Sequence, residues 1–293
     1  MHEDEWIGIF DATAFCVYIL SRPLKKDVRM LNWEKRMEII ASYDTNAGLV
    51  KTMNQDSLSV KVVNSPQGSI VFALVCDGMG GLEHGELASK EAILTLNQWF
   101  QNRFAKLVAG NCVTEEILYQ QWQEEITKVN ERLLAYADVQ GVSMGTTLTA
   151  LLLYKGNYYV CHVGDSRVYK IADRIIQVTE DHTLVAKEVE LGYLTKEQAL
   201  VDPRRSVLLQ CVGASEEVIP QFEQGCIPEK VTFILSSDGF VHMLTEEEIY
   251  QYFRPDVIKD KEQLTSVCKE TTQLVMERGE RDNITVIAIT CKA

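Results

Sequence analysis

Five aspartates stand at the ends of apolar, strand-like runs. Asp77 closes LVCDG, Asp165 closes CHVGD and Asp238 closes ILSSDG, whereas Asp56 (NQDSLSV) and Asp282 (DNITVIAI) come just before such runs. In an antiparallel sheet the finishing ends of some strands lie beside the starting ends of their neighbours, so this spacing predicts that the five carboxylates gather at one rim. Any single Asp-Gly or Asp-Asn pair is explained by turn chemistry alone. Five together are not, because like charges so close cannot all ionise without compensation. Hard divalent cations such as Mg2+ or Mn2+ supply it, since they prefer carboxylate, carbonyl and water oxygens. Gly78, Gly80 and Gly81 suit the same site, letting backbone approach an ion or phosphate with no Cβ in the way.

The patterning around these acids describes the elements that must hold them. DSLSVKVV and SIVFALVC are predicted strands joined by the turn signal SPQG. Ile93, Leu96, Phe100, Phe104 and Leu107 recur at helical spacing and predict one long helix. Thr114, followed by Glu115 and Glu116, caps a second helix with the stripe Leu118, Trp122, Ile126, Val129, Leu133 and Tyr136. TLTALLLY, YYVCHVG, RVYKI and IIQVT then read as strands whose short connections make them antiparallel neighbours. A less regular insert over residues 181–228 holds a short helix, with Thr195 and Gln198 in capping-box spacing. VTFILSS is another strand, Thr245 with Glu248 begins a capped helix, and Leu264, Val267, Thr271, Leu274 and Val275 mark the helix that stops near Gly279. ITVIAIT closes the pattern. These elements predict an α+β fold in which two antiparallel sheets pack face to face with helix pairs outside, a four-layer α-β-β-α sandwich. Residues 1–36 differ, with a basic cluster (Arg22, Lys25, Lys26, Arg29) and no strand alternation, and read as a peripheral extension of a domain spanning 37–293.

Composition narrows the partners. A formal net charge of −13 over 293 residues argues against tracking along nucleic acid or anionic membrane. Metal cations can still invert the local field for a phosphorylated partner. The one membrane suspect, WIGIFDATAFCVYIL, is too short to span, contains Asp11 and follows acidic residues where a signal peptide carries basic ones. The eight cysteines form no CxxC pair and read as reduced core residues of a cytoplasmic protein.

Taken in order, NQDS, DGMGG with the GE.AS that follows, GTTL, GDSRVY, TEDHT, SDGF and DNITV resemble the metal-dependent protein phosphatases of the 2C type, the PPM family, in its bacterial form. The resemblance runs from Thr45 to Thr290. It implies the same sandwich, hydrolysis of phosphoserine and phosphothreonine in proteins, and an opposing serine/threonine kinase. It also implies that Asp77 bridges two Mn2+ or Mg2+ ions, that the Gly78 carbonyl ligates one of them, and that Asp238 and Asp282 complete one shell. Asp56 acts nearby through water, and Asp165 holds a weaker third ion together with Asp238. Two ions roughly 3.5–4 Å apart make hydroxide available near neutral pH for in-line attack on phosphorus. Residues 183–213 correspond to the family's flap, where Arg204 and Arg205 could meet a phosphorylated peptide, and Asp181 and His182 match its DH pair.

The sequence departs from that pattern at three positions. Lys51 stands where a phosphate-binding arginine is usual, offering a point charge in place of a bidentate fork. Leu82 replaces a familiar histidine, and His84, two residues on, reads as a surface residue at a helix start. Met79 fills the slot where animal members carry a histidine proposed as general acid, so no side chain is assigned to protonate the leaving group. Two rival readings remain to be weighed against structure. Cys161 and Arg167 have the Cys-x5-Arg spacing of thiol-dependent phosphatases, but that chemistry needs a helix after the loop, and RVYKI reads as a strand. A metal-binding module without turnover is the other.

Overall fold

The computed structural model describes residues 17–20, 37–65, 68–79 and 84–292, the first of these by backbone alone. Its strands are β1 (Val17–Leu20), β2 (Glu38–Asn46), β3 (Ser57–Ser65), β4 (Gly68–Cys76), β5 (Leu148–Tyr154), β6 (Asn157–Val163), β7 (Arg167–Ile171), β8 (Ile175–Gln177), β9 (Gln221–Cys226), β10 (Lys230–Ser236) and β11 (Ile284–Lys292). Its α-helices are α1 (Gly85–Trp99), α2 (Ala105–Ala109), α3 (Glu115–Gln140), α4 (Leu184–Glu190), α5 (Lys196–Val201), α6 (Asp238–Val241), α7 (Glu246–Phe253) and α8 (Lys261–Glu277). One sheet runs β1-β3-β4-β5-β6-β9 and the other β2-β11-β10-β7-β8.

The layers follow from residues that alternate between two apolar environments. Along β4, Ile70, Phe72, Leu74 and Cys76 face α1 and α3, whereas Val71, Ala73 and Val75 face the opposite sheet. Along β11, Val286 and Ala288 meet Leu264, Cys268 and Val275 of α8, while Ile287, Ile289 and Cys291 point inward at the first sheet. A strand covered on both faces must be apolar on both, which is why these segments read as unbroken hydrophobic runs. Each large side chain so buried contributes roughly 1.5–3 kcal/mol. Three cores therefore separate four layers, as the α-β-β-α reading requires.

The predicted caps form. Thr114 Oγ1 accepts from the Ile117 amide at 3.3 Å, and both Thr195 with Gln198 and Thr245 with Glu248 make reciprocal capping boxes. Several details differ from the sequence reading. The long helix is broken by a π-helical turn over Phe100–Phe104. At its start Trp99 and Phe100 are both buried, Phe100 stacking on Phe72 at 4.9 Å and Trp99 meeting Trp122 at 5.5 Å. Tyr136 lies beyond the buried stripe of α3 and is 42% exposed. Strands β2 and β9 escaped the sequence reading because both lie toward the sheet rims and carry polar outward positions. Residues 17–20, where no strand was expected, form β1, which pairs with β3 in parallel, so one edge of one sheet is not antiparallel. The rest of the basic leader, and most of the apolar stretch Trp6–Leu20, lie outside the described residues. Among the described residues no helix is long and apolar enough to cross a membrane.

Candidate active site

Strand register brings the acids together. Ser57 pairs with Cys76, so Asp56 and Asp77 flank one end of the β3-β4 ladder. Ser236 pairs with both Val286 and Arg167, which sets Asp238, Asp282 and Asp165 just past the matching ends of β10, β11 and β7. All five therefore share one rim, contributed by both sheets. The two halves are stitched by Ser237, whose Oγ donates to Asp56 Oδ2 at 2.9 Å and accepts from the Thr285 amide at 3.0 Å. Asp77 is clamped through its backbone: its amide donates to Thr147 Oγ1, and its carbonyl accepts from the Thr147 amide and from Thr146 Oγ1, each at 2.9 Å.

Electrostatically this rim is under load. Asp56 and Asp165 are buried; Asp77, Asp238 and Asp282 keep an accessible edge. Burial, joined by the Asp238 charge, pushes Asp56 up to about 6 despite its hydrogen bond from Ser237. Asp77 is held well above the ordinary carboxyl range, by dense surroundings first and then by Asp56, Asp238, Asp165 and Asp282. Asp165 is raised by burial and by Asp238 and Asp181, and Asp238 by burial, with His242 opposing. Among the described residues no three acidic, histidine or cysteine side chains close into a ready-made one-ion cage. The acids stand side by side instead, and Asp56 Oδ1 is buried without a hydrogen-bond donor.

The residue types fit divalent cations on three observations. One is that orphaned Asp56 oxygen. The second is the mutual repulsion of hard oxygen ligands that a cation relieves. The third is backbone crowding: a Cβ on Gly78 would lie 2.4 Å from the Gly85 carbonyl oxygen, and one on Gly239 2.1 Å from that of Asn283. Those glycines let the segments carrying Asp77, Asp238 and Asp282 press together. Gly80 and Gly81 lie outside the described residues.

The remaining predicted residues divide. Lys51 reaches the rim, with its Nζ 3.1 Å from Asp282 Oδ1. His84 begins α1 in a left-handed conformation and lies 3.8 Å from Glu86, a helix-start residue as expected. His182 is structural: its Nδ1 faces the Gly164 amide at 3.2 Å and Gln210 Nε2 at 3.0 Å. Arg204 is engaged locally, gripping Glu188 and Asp202 at 2.8 and 2.9 Å. Arg205 lies near enough for its charge to oppose protonation of His242. The thiol-phosphatase reading fails on geometry. Cys161 sits inside β6 with its thiol pushed up by burial, and Arg167 opens β7 with a fork on Asp181 at 2.6 Å.

Sequence reasoning missed a relay behind Asp238. His242 Nε2 is 3.4 Å from Asp238 Oδ2, one helical turn away, and its Nδ1 is 3.3 Å from Glu280 Oε2. Burial works against charge on His242, but Glu280 and Asp238 outweigh it and raise its pKa. Glu280 is brought down to about 2, against its own burial, by His242 and by the amides of Asp282 and Arg281. The DGFVH spacing was the available signal. Beneath Gly164 lies His162, with Nδ1 against Thr149 Oγ1 and Nε2 against the Gly164 carbonyl, both at 2.9 Å. Burial depresses it to about 3. An unfolded chain takes up this proton as pH falls through about 6.5, whereas the folded one resists until about 3. Stability from this group is thus intact above the first value and drains away toward the second. By pH 5 the loss should be about 2 kcal/mol. Its measure is a falling thermal midpoint while the His162 ring NMR signals stay those of neutral imidazole; a ring already protonated at pH 5 contradicts it.

Known proteins share this fold. Residues 49–272 match the family model described as Protein phosphatase 2C. The serine/threonine phosphatase stp of Listeria welshimeri is 33% identical over 257 residues, covering 85% of this chain and 94% of that protein. The crystal structure of the serine/threonine phosphatase Stp1 from Staphylococcus aureus superposes with a TM-score of 0.74 at 25% identity, covering 94% of this chain and all of that one. The catalytic domain of the phosphatase PstP, in complex with 2 manganese ions, shares the fold at 24% identity, a TM-score of 0.70 and coverage of 88% and 100%. A match that begins before the first acid of the rim and runs into α8, joined by the 33% identity over 257 residues, leaves one assignment: this chain belongs to the protein phosphatase 2C family and is a serine/threonine protein phosphatase.

Proposed function

We propose that the chain hydrolyses phosphoserine and phosphothreonine esters of proteins at a pair of Mn2+ or Mg2+ ions held by Asp77, the Gly78 carbonyl, Asp238 and Asp282. Asp56 supports them through water, and Asp165 with Asp238 takes a weaker third. The carrying observation is the unpartnered Asp56 oxygen within a rim of raised-pKa carboxyls. Such a cluster is costly in a stable fold unless cations neutralise it. Metal dependence is a property of the family, and the manganese-bound PstP domain has the same fold. When bound, two ions supply a hydroxide nucleophile near neutral pH and neutralise charge on the phosphoryl oxygens.

The chain's own residues do the rest. Thr146 and Thr147 fix the Asp77 backbone, and Ser237 orients Asp56. His242 holds the Asp238 carboxylate from behind, anchored in turn by Glu280. Lys51 offers the phosphoryl group a point charge at the Asp282 edge. Met79 has no proton to give, so the leaving alkoxide is protonated by solvent. A phosphorylated hydroxyl needs a kinase to make it, and an opposing serine/threonine kinase is the partner we infer. The described cysteines are free thiols, which suits a reducing cytoplasm. Residues 1–36 are proposed as a peripheral extension beside the catalytic unit at 37–293.

Excess EDTA should bring hydrolysis of a phosphothreonine peptide below about 1% of its starting rate, with Mn2+ restoring it. Turnover that survives chelation overturns the proposal, and Mn2+ binding without turnover assigns the chain to a binding role.

A further inference from the structure

The loop between β2 and β3 has a rigid neck and an apolar tip. At the neck Asn283 Nδ2 donates to the carbonyls of Ala47 and Met53 at 3.0 and 3.1 Å, while its Oδ1 accepts from the Gln55 amide at 2.9 Å. Asn54 Nδ2 donates to Thr45 Oγ1 at 2.8 Å, and the Gly48 amide donates to Asn46 Oδ1 at 2.9 Å. The loop backbone rests directly on the acid rim, since a Cβ at Gly48 would fall 2.4 Å from the Asp282 carbonyl oxygen. Asn283 itself is buried. Beyond this neck Leu49, Val50 and Met53 are 68, 53 and 53% exposed. They bracket Lys51, whose Nζ is 3.1 Å from Asp282 Oδ1.

Nothing among the described residues accounts for that tip. A solvent loop of no consequence is ordinarily polar, and apolar side chains clustered on the surface mark contact sites. The anchoring is expensive in backbone entropy and is placed where it fixes the tip against Asp282. We propose that this loop recognises the protein substrate, taking an apolar residue that neighbours the phosphorylated serine or threonine. The inference rests on the phosphatase site proposed above, because that site dictates where the phosphoryl group goes. An extended peptide advances about 3.3 Å per residue. With its phosphate at Lys51 and the rim, the residue on one side or the other passes over Val50, Leu49 or Met53. The chain's net charge of −13 disfavours acidic flanking residues. The uncharged side chains of Leu49, Val50 and Met53 offer a basic residue no ion pair, so the contact the tip itself can reward is an apolar one. Burying one large apolar side chain against the tip favours such peptides by about tenfold in kcat/KM.

The test compares phosphothreonine peptides that differ only at the two flanking positions, leucine against serine. The wild type and the triple variant L49S/V50S/M53S are assayed with Mn2+. The readout is the leucine-to-serine ratio of kcat/KM within each protein, which cancels any loss of active enzyme. A ratio of about ten in the wild type that falls toward one in the variant is the expected result. A wild-type ratio near one, or a ratio the variant keeps, overturns the proposal while peptide turnover leaves the phosphatase reading standing. Failure of the wild type to hydrolyse any peptide or p-nitrophenyl phosphate overturns both. A wild-type dimer that the same substitutions dissociate, with no peptide preference, gives the loop to a second copy of the chain and also overturns it.

Discussion

Asp77→Asn should lose about 10²–10³-fold or more in turnover and yet, in the presence of chelator, melt higher than the wild type. The two effects have one cause. Burial and four acidic neighbours all raise the pKa of Asp77, so its charge is costly in the folded chain. An amide keeps the shape, removes the charge and can donate to the Asp56 and Asp238 carboxylates beside it. A relief of about 1 kcal/mol corresponds to roughly 2–4 °C in a domain of this size. The same amide is a poor ligand for hard cations, which removes activity. Asp238→Asn supplies the contrast. It should lose turnover to a similar degree without the gain in melting temperature, because His242 then loses one of the two carboxylates that hold it.

The pH dependence follows with a definite sign. Asp56 and Asp77 keep their protons longer when folded than when unfolded, so in chelated protein the contribution of these two groups falls as pH rises from about 4 through about 6 and beyond, opposite in sign to that of His162. Asp77→Asn should flatten that slope. Calorimetry in EDTA across this range, paired with phosphopeptide kinetics in Mn2+, reads both halves. An inactive variant that also melts lower would show that Asp77 is a fold-bearing residue and not a destabilising functional one.

Gly239→Ala should be the most damaging single methyl on the site. Its added carbon would meet the Asn283 carbonyl oxygen at 2.1 Å, a backbone atom that has no rotamer to retreat into. Asn283 cannot move alone, because its side chain also ties the loop at Ala47 and Met53. Overpacking of this kind costs about 1–3 kcal/mol and more where backbone must shift. At the upper end the melting temperature falls by about 6–12 °C. Activity should fall further than stability does, since the displaced segments carry Asp238 and Asp282. Thermal melts and Mn2+-supported kinetics of the purified variant check both, and a variant within 2 °C of wild type by melting would mean that the two segments part easily.

The identities of the acids and the strands beneath them were legible because each signal is local. Asp77 sits where an apolar run stops, and Ile70 to Cys76 announces a doubly covered strand by its unbroken hydrophobicity. Thr195 and Thr245 declared their helices through caps that involve only the next turn. Edge strands were less visible. In Gln221–Cys226 only one face meets apolar neighbours, and pairing with β6, not composition, makes it a strand. The π turn at Phe100 likewise answers to Phe72 and Trp122, residues from other elements.

From its order of residues alone this protein specified which chemistry it carries: hard oxygen ligands at strand ends, glycines beside them, and a run of motifs matching one family. Only the folded chain decided which of those groups share a space and what each feels there. His242 became a partner of Asp238 and Glu280, His182 a structural prop, Arg204 a tie to Glu188 and Asn283 the clasp of a loop. The physical reason is that ligand type is a property of a side chain, whereas electrostatic load, orientation and access depend on distances between residues that sequence separation does not encode.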